Sequence, residues 1–150
     1  RTAMRRLRSL IVEIYPSNLE RVGLRPALAD LAAPLAGKAM SVSVDVVDTR
    51  YPSSVEAIVY RAAQEALRNV AAHARAAIVG VRVCDDGHHV HLVVDDDGIG
   101  ISEAELATRR QNGHLGFRLL ADLARNAGGT LTVGPGDRGG TRVELGVPLR

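Results

Sequence analysis

Three polar side chains recur at steps of four residues along the longest helical pattern of the chain. They are Glu65, Asn69 and His73, within the segment YRAAQEALRNVAAHA. A step of four places side chains on one ridge of an α-helix, so a carboxylate, a carboxamide and an imidazole would line the same face. Buried polar groups without partners cost about 1–3 kcal/mol each. The ridge therefore either reaches solvent at the edge of the helix or has partners such as a metal ion, a phosphate or ordered water.

An acidic, glycine-rich segment follows one of the apolar runs and reads Asp95-Asp96-Asp97-Gly98-Ile99-Gly100. The two glycines let the backbone approach a flat ligand closely, while the carboxylate of Asp96 can accept hydrogen bonds from an amino group. Taken alone, an Asp-x-Gly-x-Gly pattern is more typical of an acidic turn than of a binding site.

Two further glycine motifs stand directly before regular elements. Gly113-His114-Leu115-Gly116 precedes a helical pattern, where free backbone N–H groups and the helix dipole can hold phosphate oxygens. A simple helix cap is the alternative. Gly139-Gly140-Thr141 begins a strand pattern and, by itself, favours a hairpin turn.

Several other chemistries are excluded or disfavoured. Lys38 is the only lysine, and no Gly-x-x-x-x-Gly-Lys-Ser/Thr segment is present, which excludes a Walker-type phosphate loop. Glu103 stands where the third glycine of a dinucleotide-binding motif would be. Among His88, His89 and His91, the last two alone share a strand face, so a solvated strand edge is favoured over a zinc site.

The composition is that of a soluble globular domain. A chain of 150 residues with 46% hydrophobic and 24% charged residues suits a single core. The net charge of only +2 and the presence of just 3 tyrosines, 1 phenylalanine and no tryptophan do not call for a nucleic-acid partner. Charged residues interrupt the apolar stretches before they could cross a membrane. The single cysteine, Cys84, permits no internal disulfide, which fits a cytoplasmic setting.

Apolar periodicity predicts three helices and five strands in the main body of the chain. The helices are expected at residues 25–38, 53–74 and 115–126, the second beginning with a capping box between Ser53 and Glu56. The strands are expected at 41–48, 76–84, 89–95, 130–134 and 141–147, and an Asp-Gly turn predicts that the second and third pair antiparallel. We expect an α/β (α+β) two-layer sandwich, a mixed and mostly antiparallel five-stranded sheet with the helices on one face.

The order of these motifs along the chain is more specific than any one of them. A Glu-x-x-x-Asn-x-x-x-His helix, Asp-x-Gly-x-Gly after a hairpin, a polar segment, Gly-His-x-Gly before a helix and Gly-Gly-Thr before the last strand together resemble the ATP-binding catalytic domain of sensor histidine kinases. Its Bergerat fold is shared with gyrase, Hsp90 and MutL ATPases. The resemblance covers roughly residues 16–149, and it implies an ATP-binding catalytic domain over residues 16–150. The segments IYPSNLERVGLRPAL and YRAAQEALRNVAAHA further resemble the kinases that pair with NarL-type response regulators.

The resemblance implies how each motif would meet Mg²⁺ and ATP. Asn69 would supply an oxygen to Mg²⁺, which prefers hard oxygen ligands. Asp96 would accept the adenine amino group. Residues 101–112 would form a lid over the nucleotide. The remaining nucleotide contacts would come from Gly98, Gly100 and Thr141 around the base and from Gly113, His114 and Gly116 around the triphosphate.

Glu65 and His73 would then polarise or position the phosphoryl chemistry, and the resemblance leaves open which of them acts as a base. Many relatives carry lysine where this chain has Ala72, so one phosphate contact is absent or supplied elsewhere.

The function implied by the resemblance is transfer of the γ-phosphoryl group of Mg-ATP to a histidine on a dimerisation domain, for relay to a response regulator. Residues 1–15 would be the tail of the dimerisation helix. Because the chain starts at Arg1 within a helical pattern, we expect it to be a piece of a longer protein. No histidine in it has the usual acceptor context, so the acceptor is expected upstream, and the isolated domain should turn over slowly or not at all.

The expected partners are the kinase's own dimerisation domain, a second copy in a homodimeric parent, and the response regulator. The parent would be cytoplasmic or anchored to a membrane through another segment. Two alternatives remain. An anti-sigma-factor serine kinase of the same fold would not need the helix at residues 1–15. A non-catalytic nucleotide-binding or scaffold module would not need the intact motifs.

Overall fold

The computed structural model describes residues 18–37, 40–99 and 115–150. The helix predicted at residues 1–15 and the lid predicted at 101–112 lie outside these ranges, so both stay predictions.

Five strands form one sheet in the order β1-β2-β3-β5-β4. Their bounds are Ser41–Val46 (β1), Ile78–Asp85 (β2), His89–Asp96 (β3), Thr130–Pro135 (β4) and Thr141–Pro148 (β5). β1 runs parallel to β2, and the pairs β2–β3, β3–β5 and β4–β5 are antiparallel. The prediction of a mixed, mostly antiparallel sheet is confirmed.

Helices cover one face of this sheet. They are Leu19–Val22 (α1), Leu24–Ala36 (α2), Ser53–Asn69 (α3) and Leu115–Asn126 (α4), and a π-helical turn, Val70–Ala74, continues α3. α2 packs on β1, α3 on β3 and β5, and α4 on β4. The three longer helices are those expected from the sequence, and Pro34 lies inside the last turn of α2 without ending it.

The core lies between the two layers and is built from alternate strand positions. The buried sheet residues are Val79, Val81, Val83, Val90, Leu92, Val94, Val143, Leu145 and Val147. α3 contributes Val55, Val59, Ala62 and Ala66, and the π-helical turn contributes Val70, all buried. Because side chains alternate along a strand, the intervening residues form an open face on the other side of the sheet. In the part of the chain that is described, no helix is long and apolar enough to span a membrane.

The predicted capping box at the start of α3 is wrong. Pro52 is the N-cap, and no side chain caps the helix there. The carboxylate of Glu56, 1% exposed, instead accepts hydrogen bonds from Arg50 Nε at 3.0 Å, from Arg50 Nη2 at 3.1 Å and from the backbone N of Tyr51 at 3.3 Å. Because proline has no N–H to offer, Glu56 reaches past Pro52 to the preceding residue, and the guanidinium neutralises its buried charge.

Candidate functional site

Asp96 ends β3 and continues the buried alternation of that strand, so its side chain lies on the helix-covered face. The residue is 4% exposed. Its Oδ1 accepts hydrogen bonds from the backbone N of Gly98 at 2.8 Å and of Thr141 at 3.4 Å. Among the residues that the structure describes, both donors converge on Oδ1, so Oδ2 can accept a hydrogen bond from a ligand.

The environment of this carboxyl group is both dry and tightly packed. Burial raises the pKa of Asp96 above its ordinary value, although the hydrogen bonds from Gly98 and Thr141 act in the opposite direction. A Cβ added at Gly140 would overlap the backbone and side-chain oxygens of Asp96. Gly140 therefore lets the β4–β5 hairpin lie directly on Asp96. The sequence analysis assigned no role to Gly140. The pair of glycines directly before a strand is the feature that could have indicated this close contact.

The two aspartates on either side of Asp96 have different partners. Asp95 points to the open face, where its Oδ2 is 3.9 Å from Nη1 of Arg142. Asp97 Oδ1 accepts hydrogen bonds from the backbone N of Ala77 at 2.8 Å and of Ile78 at 2.9 Å. These N–H groups lower the pKa of Asp97. Asp97 thus joins the end of β3 to the start of β2 and holds the loop that follows Asp96.

A second group of predicted site residues meets where α3 approaches α4. Asn69 Nδ2 donates to the backbone oxygen of Glu65 at 3.0 Å, which leaves the carboxamide oxygen Oδ1 for a cation. The carboxylate of Glu65 lies against Gly116, and a Cβ on that glycine would overlap it. Nη1 of Arg68 is 3.4 Å from Glu65 Oε2. The sequence motifs gave Arg68 no role in the site.

His73 stands one turn beyond Asn69, in the π-helical segment. π-turns inside helices occur frequently at functional sites, and they change the angular step along the helix. Glu65 and Asn69 lie one helical turn apart in α3, and the π-helical turn begins at Val70, after both. The His73 side chain, Gly100, Gly113 and His114 lie outside the described part of the chain, so their roles stay predictions.

The site residues thus form two clusters on the helix-covered side of the sheet. Asp96, Gly98 and Thr141 form the first cluster, and Glu65, Asn69 and Gly116 form the second. Within the described ranges no hydrogen bond or ion pair joins one cluster to the other. They belong to elements that pack together, since α3 contacts β3, β5 and α4. The first cluster offers a buried carboxylate oxygen to a hydrogen-bond donor, and the second offers the Asn69 carboxamide oxygen and the Glu65 carboxylate, with the Arg68 guanidinium beside it.

The open face of the sheet has concave surfaces of its own. One, of about 550 Å³, includes His89 and His91, and another, of about 430 Å³, includes Asp95 and Arg142 and extends to Asp96 at the end of β3. Neither is lined by Glu65, so the second cluster lies outside both. Among the residues that the structure describes, no group of three or more His, Cys, Asp or Glu side chains could hold a metal ion.

Comparison with known proteins identifies relatives of this chain. Residues 54–150 match the family of histidine kinase-, DNA gyrase B-, and HSP90-like ATPases. Sensor histidine kinase NarS from Mycobacterium tuberculosis is 35% identical over 150 residues, which cover 99% of this chain and 35% of NarS. Sensor histidine kinase LiaS from Bacillus subtilis is 28% identical over 148 residues, covering 98% of this chain and 40% of LiaS. The chain therefore spans well under half the length of these relatives.

Solved structures share the fold. The blue-light activated histidine kinase of Erythrobacter litoralis EL346 superposes with a TM-score of 0.69 at 28% identity, over 84% of this chain and 42% of that one. The ATP binding domain of PrrB from Mycobacterium tuberculosis gives a TM-score of 0.62 at 25% identity, over 84% of this chain and 93% of that domain. Because the family match spans well over half of the chain and the fold recurs in these kinases, this chain belongs to the family of histidine kinase-, DNA gyrase B- and HSP90-like ATPases.

Proposed function

We propose that the chain is the Mg-ATP-binding catalytic domain of a two-component sensor histidine kinase. The observation that carries the proposal is the Asp96 carboxylate, 4% exposed, with Oδ1 occupied by backbone donors and Oδ2 left for a ligand. Such an oxygen complements the exocyclic amino group of adenine, which is a hydrogen-bond donor. The relatives NarS and LiaS are sensor histidine kinases, which supports the same proposal.

The second cluster would receive the phosphates. Asn69 Oδ1 is an oxygen ligand of the type that Mg²⁺ prefers, and its orientation is set by the bond from Nδ2 to Glu65 O. When bound, Mg²⁺ would neutralise charge on the phosphates. Gly116 lies in the first turn of α4, where a helix attracts anions, and we propose that Gly113 and His114 border the triphosphate beside it.

The chain's own residues would act mainly by holding the reactants in position, as is usual for phosphoryl transfer. Gly98 and Gly100 would pass beneath the base, and Thr141 would hold it from the β4–β5 hairpin. Glu65 would orient the accepting imidazole or hold its proton, with His73 as the other candidate for this role. Residues 101–112 would close over the nucleotide.

The remaining partners follow from this assignment. The accepting histidine would lie on a dimerisation domain whose last helix ends in residues 1–15, and the phosphoryl group would pass from there to a response regulator. The parent would be a homodimer that works in the cytoplasm, with any membrane anchor outside this segment. Neither nucleic acid nor a membrane surface is needed by the proposed chemistry.

Titration of the purified domain with a fluorescent ATP analogue, with and without Mg²⁺, tests the proposal. We expect saturable binding that Asp96→Ala abolishes and that loses its Mg²⁺ dependence in Asn69→Ala. Asp95→Ala, on the open face, is the matched control and should bind as the wild type does. Absence of binding by the wild type, or equal loss in both aspartate variants, would contradict the nucleotide site.

The two alternatives give different products in a second assay. With the dimerisation domain supplied, a histidine kinase forms an acid-labile phosphoramidate, whereas a serine kinase forms an acid-stable phosphoester on its partner. A non-catalytic module binds the nucleotide and forms neither product. An acid-stable product would replace the histidine kinase assignment with that of a serine kinase.

A further inference from the structure

We infer that Arg68 is a phosphate-binding residue of this site, and that its pairing with Glu65 is the resting position of its guanidinium when no nucleotide is bound. The inference rests on the proposed function, because it assigns the terminal phosphate of ATP to the second cluster.

The geometry brings a cation to the place where the phosphates would lie. Arg68 precedes Asn69 in the last turn of α3, and its Nη1 is 3.4 Å from Glu65 Oε2. That carboxylate in turn lies against Gly116, in the first turn of α4. The guanidinium therefore contacts a side chain, Glu65, that lies against the backbone of α4 where the triphosphate would be bound. It also belongs to the residue next to Asn69, the proposed Mg²⁺ ligand.

The pairing with Glu65 is weak enough to be exchanged. It is a single contact, and the Arg68 side chain is 63% exposed. Ion pairs of this kind contribute little to stability because water screens them and because two flexible side chains must be held in place. A guanidinium binds phosphate through two parallel hydrogen bonds, which is a stronger arrangement than this single contact.

The charges of the cluster favour such a cation in addition to Mg²⁺. Asn69 is neutral and Glu65 is an acid, so without Arg68 the second cluster carries one negative charge before the nucleotide arrives. A terminal phosphate placed beside Glu65 would be repelled by it. By turning its guanidinium so that it lies between Glu65 and the phosphate, Arg68 would offset both charges.

Calorimetric titration of the whole chain with Mg-ATP and with Mg-ADP tests the inference. We expect Arg68→Gln to weaken ATP binding about tenfold and ADP binding less than about twofold, since one charge-assisted contact to the terminal phosphate is lost. Arg68→Lys should recover part of the preference for ATP, because it keeps the charge but loses the fork of donors. Thermal melting of both variants controls for folding.

Arg125→Gln is a matched control. Arg125 pairs with Asp122 three residues earlier, at 2.5 Å, and its side chain is 70% exposed, so this variant removes the same charge and the same type of pair from α4. Its ratio of ATP to ADP affinity should equal that of the wild type. Equal weakening of both nucleotides in Arg68→Gln, or no weakening, would overturn the inference.

The outcomes also separate this inference from the proposed function. If the wild-type chain binds neither nucleotide, the proposed function fails and the inference fails with it. If the wild type binds both nucleotides through Asp96 while Arg68→Gln keeps the wild-type preference for ATP, the proposed function stands and the role of Arg68 is wrong.

Discussion

Replacing Asp96 with asparagine should reverse the hydrogen-bonding character of the proposed base site while the domain stays folded. In the native chain Oδ1 accepts from the backbone N of Gly98 at 2.8 Å and of Thr141 at 3.4 Å. An asparagine must place its carbonyl oxygen at that position, because its NH₂ group cannot accept. The NH₂ group then takes the place of Oδ2 and presents a donor to the donor amino group of adenine.

The expected loss of affinity has two parts. A hydrogen bond to a charged group contributes about 1.5–3 kcal/mol, and a buried donor left without an acceptor costs about 1–3 kcal/mol. A combined loss of about 2.5–6 kcal/mol weakens ATP binding roughly 60-fold to 20,000-fold, since about 1.4 kcal/mol is a factor of ten. Stability should change much less. Burial raises the pKa of Asp96, so the ionised carboxylate is itself disfavoured in the folded domain, and its removal offsets part of any loss.

Isothermal calorimetry with ATP and with inosine triphosphate provides the assay. The 6-oxo group of hypoxanthine accepts a hydrogen bond, as that of guanine does, whereas the 6-amino group of adenine donates one. We therefore expect the wild type to prefer ATP and Asp96→Asn to prefer inosine triphosphate. Asp95→Asn, on the open face, should keep the wild-type preference. If Asp96→Asn binds ATP within a few-fold of the wild type, the orientation argument and the adenine assignment are both refuted.

Two further substitutions test the second cluster and the loop after Asp96. Gly116→Ala puts a methyl group where the Glu65 carboxylate lies. The melting temperature should hold or rise, because alanine favours a helix by about 1 kcal/mol over glycine, while phosphoryl transfer in the parent kinase falls on the order of 10- to 100-fold. Gly134→Ala, which adds a methyl group in open space, is the control. If Gly116→Ala and Gly134→Ala transfer the phosphoryl group at equal rates, the role of Glu65 is contradicted. Asp97→Asn should lower the free energy of unfolding at pH 7, because backbone N–H groups depress the pKa of Asp97 and its carboxylate stabilises the fold above the ordinary value of 3.8. That stabilisation disappears as the pH falls through the folded pKa, so urea unfolding curves of variant and wild type should converge in acid, and a constant difference would contradict the role of Asp97.

Local signals in the sequence were sufficient for most of the regular elements. The helix expected at 115–126 is α4, Leu115–Asn126, and the strand expected at 89–95 is β3, His89–Asp96. A period of 3.6 or of 2 residues reports which side of an element is buried, and an Asp-Gly pair reports a tight turn. Both signals act over a few residues, so no knowledge of the fold is needed to interpret them.

Local signals failed where a distant residue competes for the same group. The spacing of Ser53 and Glu56 is that of a capping box, but Glu56 bonds instead to Arg50. Arg50 in turn donates to the backbone oxygen of Glu20, 30 residues away, at 2.5 Å. The helix expected at 53–74 likewise changes to a π-helical turn after Asn69. The apolar periodicity of the sequence does not predict this change.

The sequence by itself determined the elements, the buried faces and the ordered motifs through which the family resemblance was stated, because these are properties of short segments. Tertiary structure decided which motif residues meet. Thr141 reaches Asp96 across 45 residues because β5 lies between β3 and β4, and Gly116 meets Glu65 because α4 packs against α3. Strand order and helix packing arise from burying one shared apolar face, a property of the whole chain that no single segment carries.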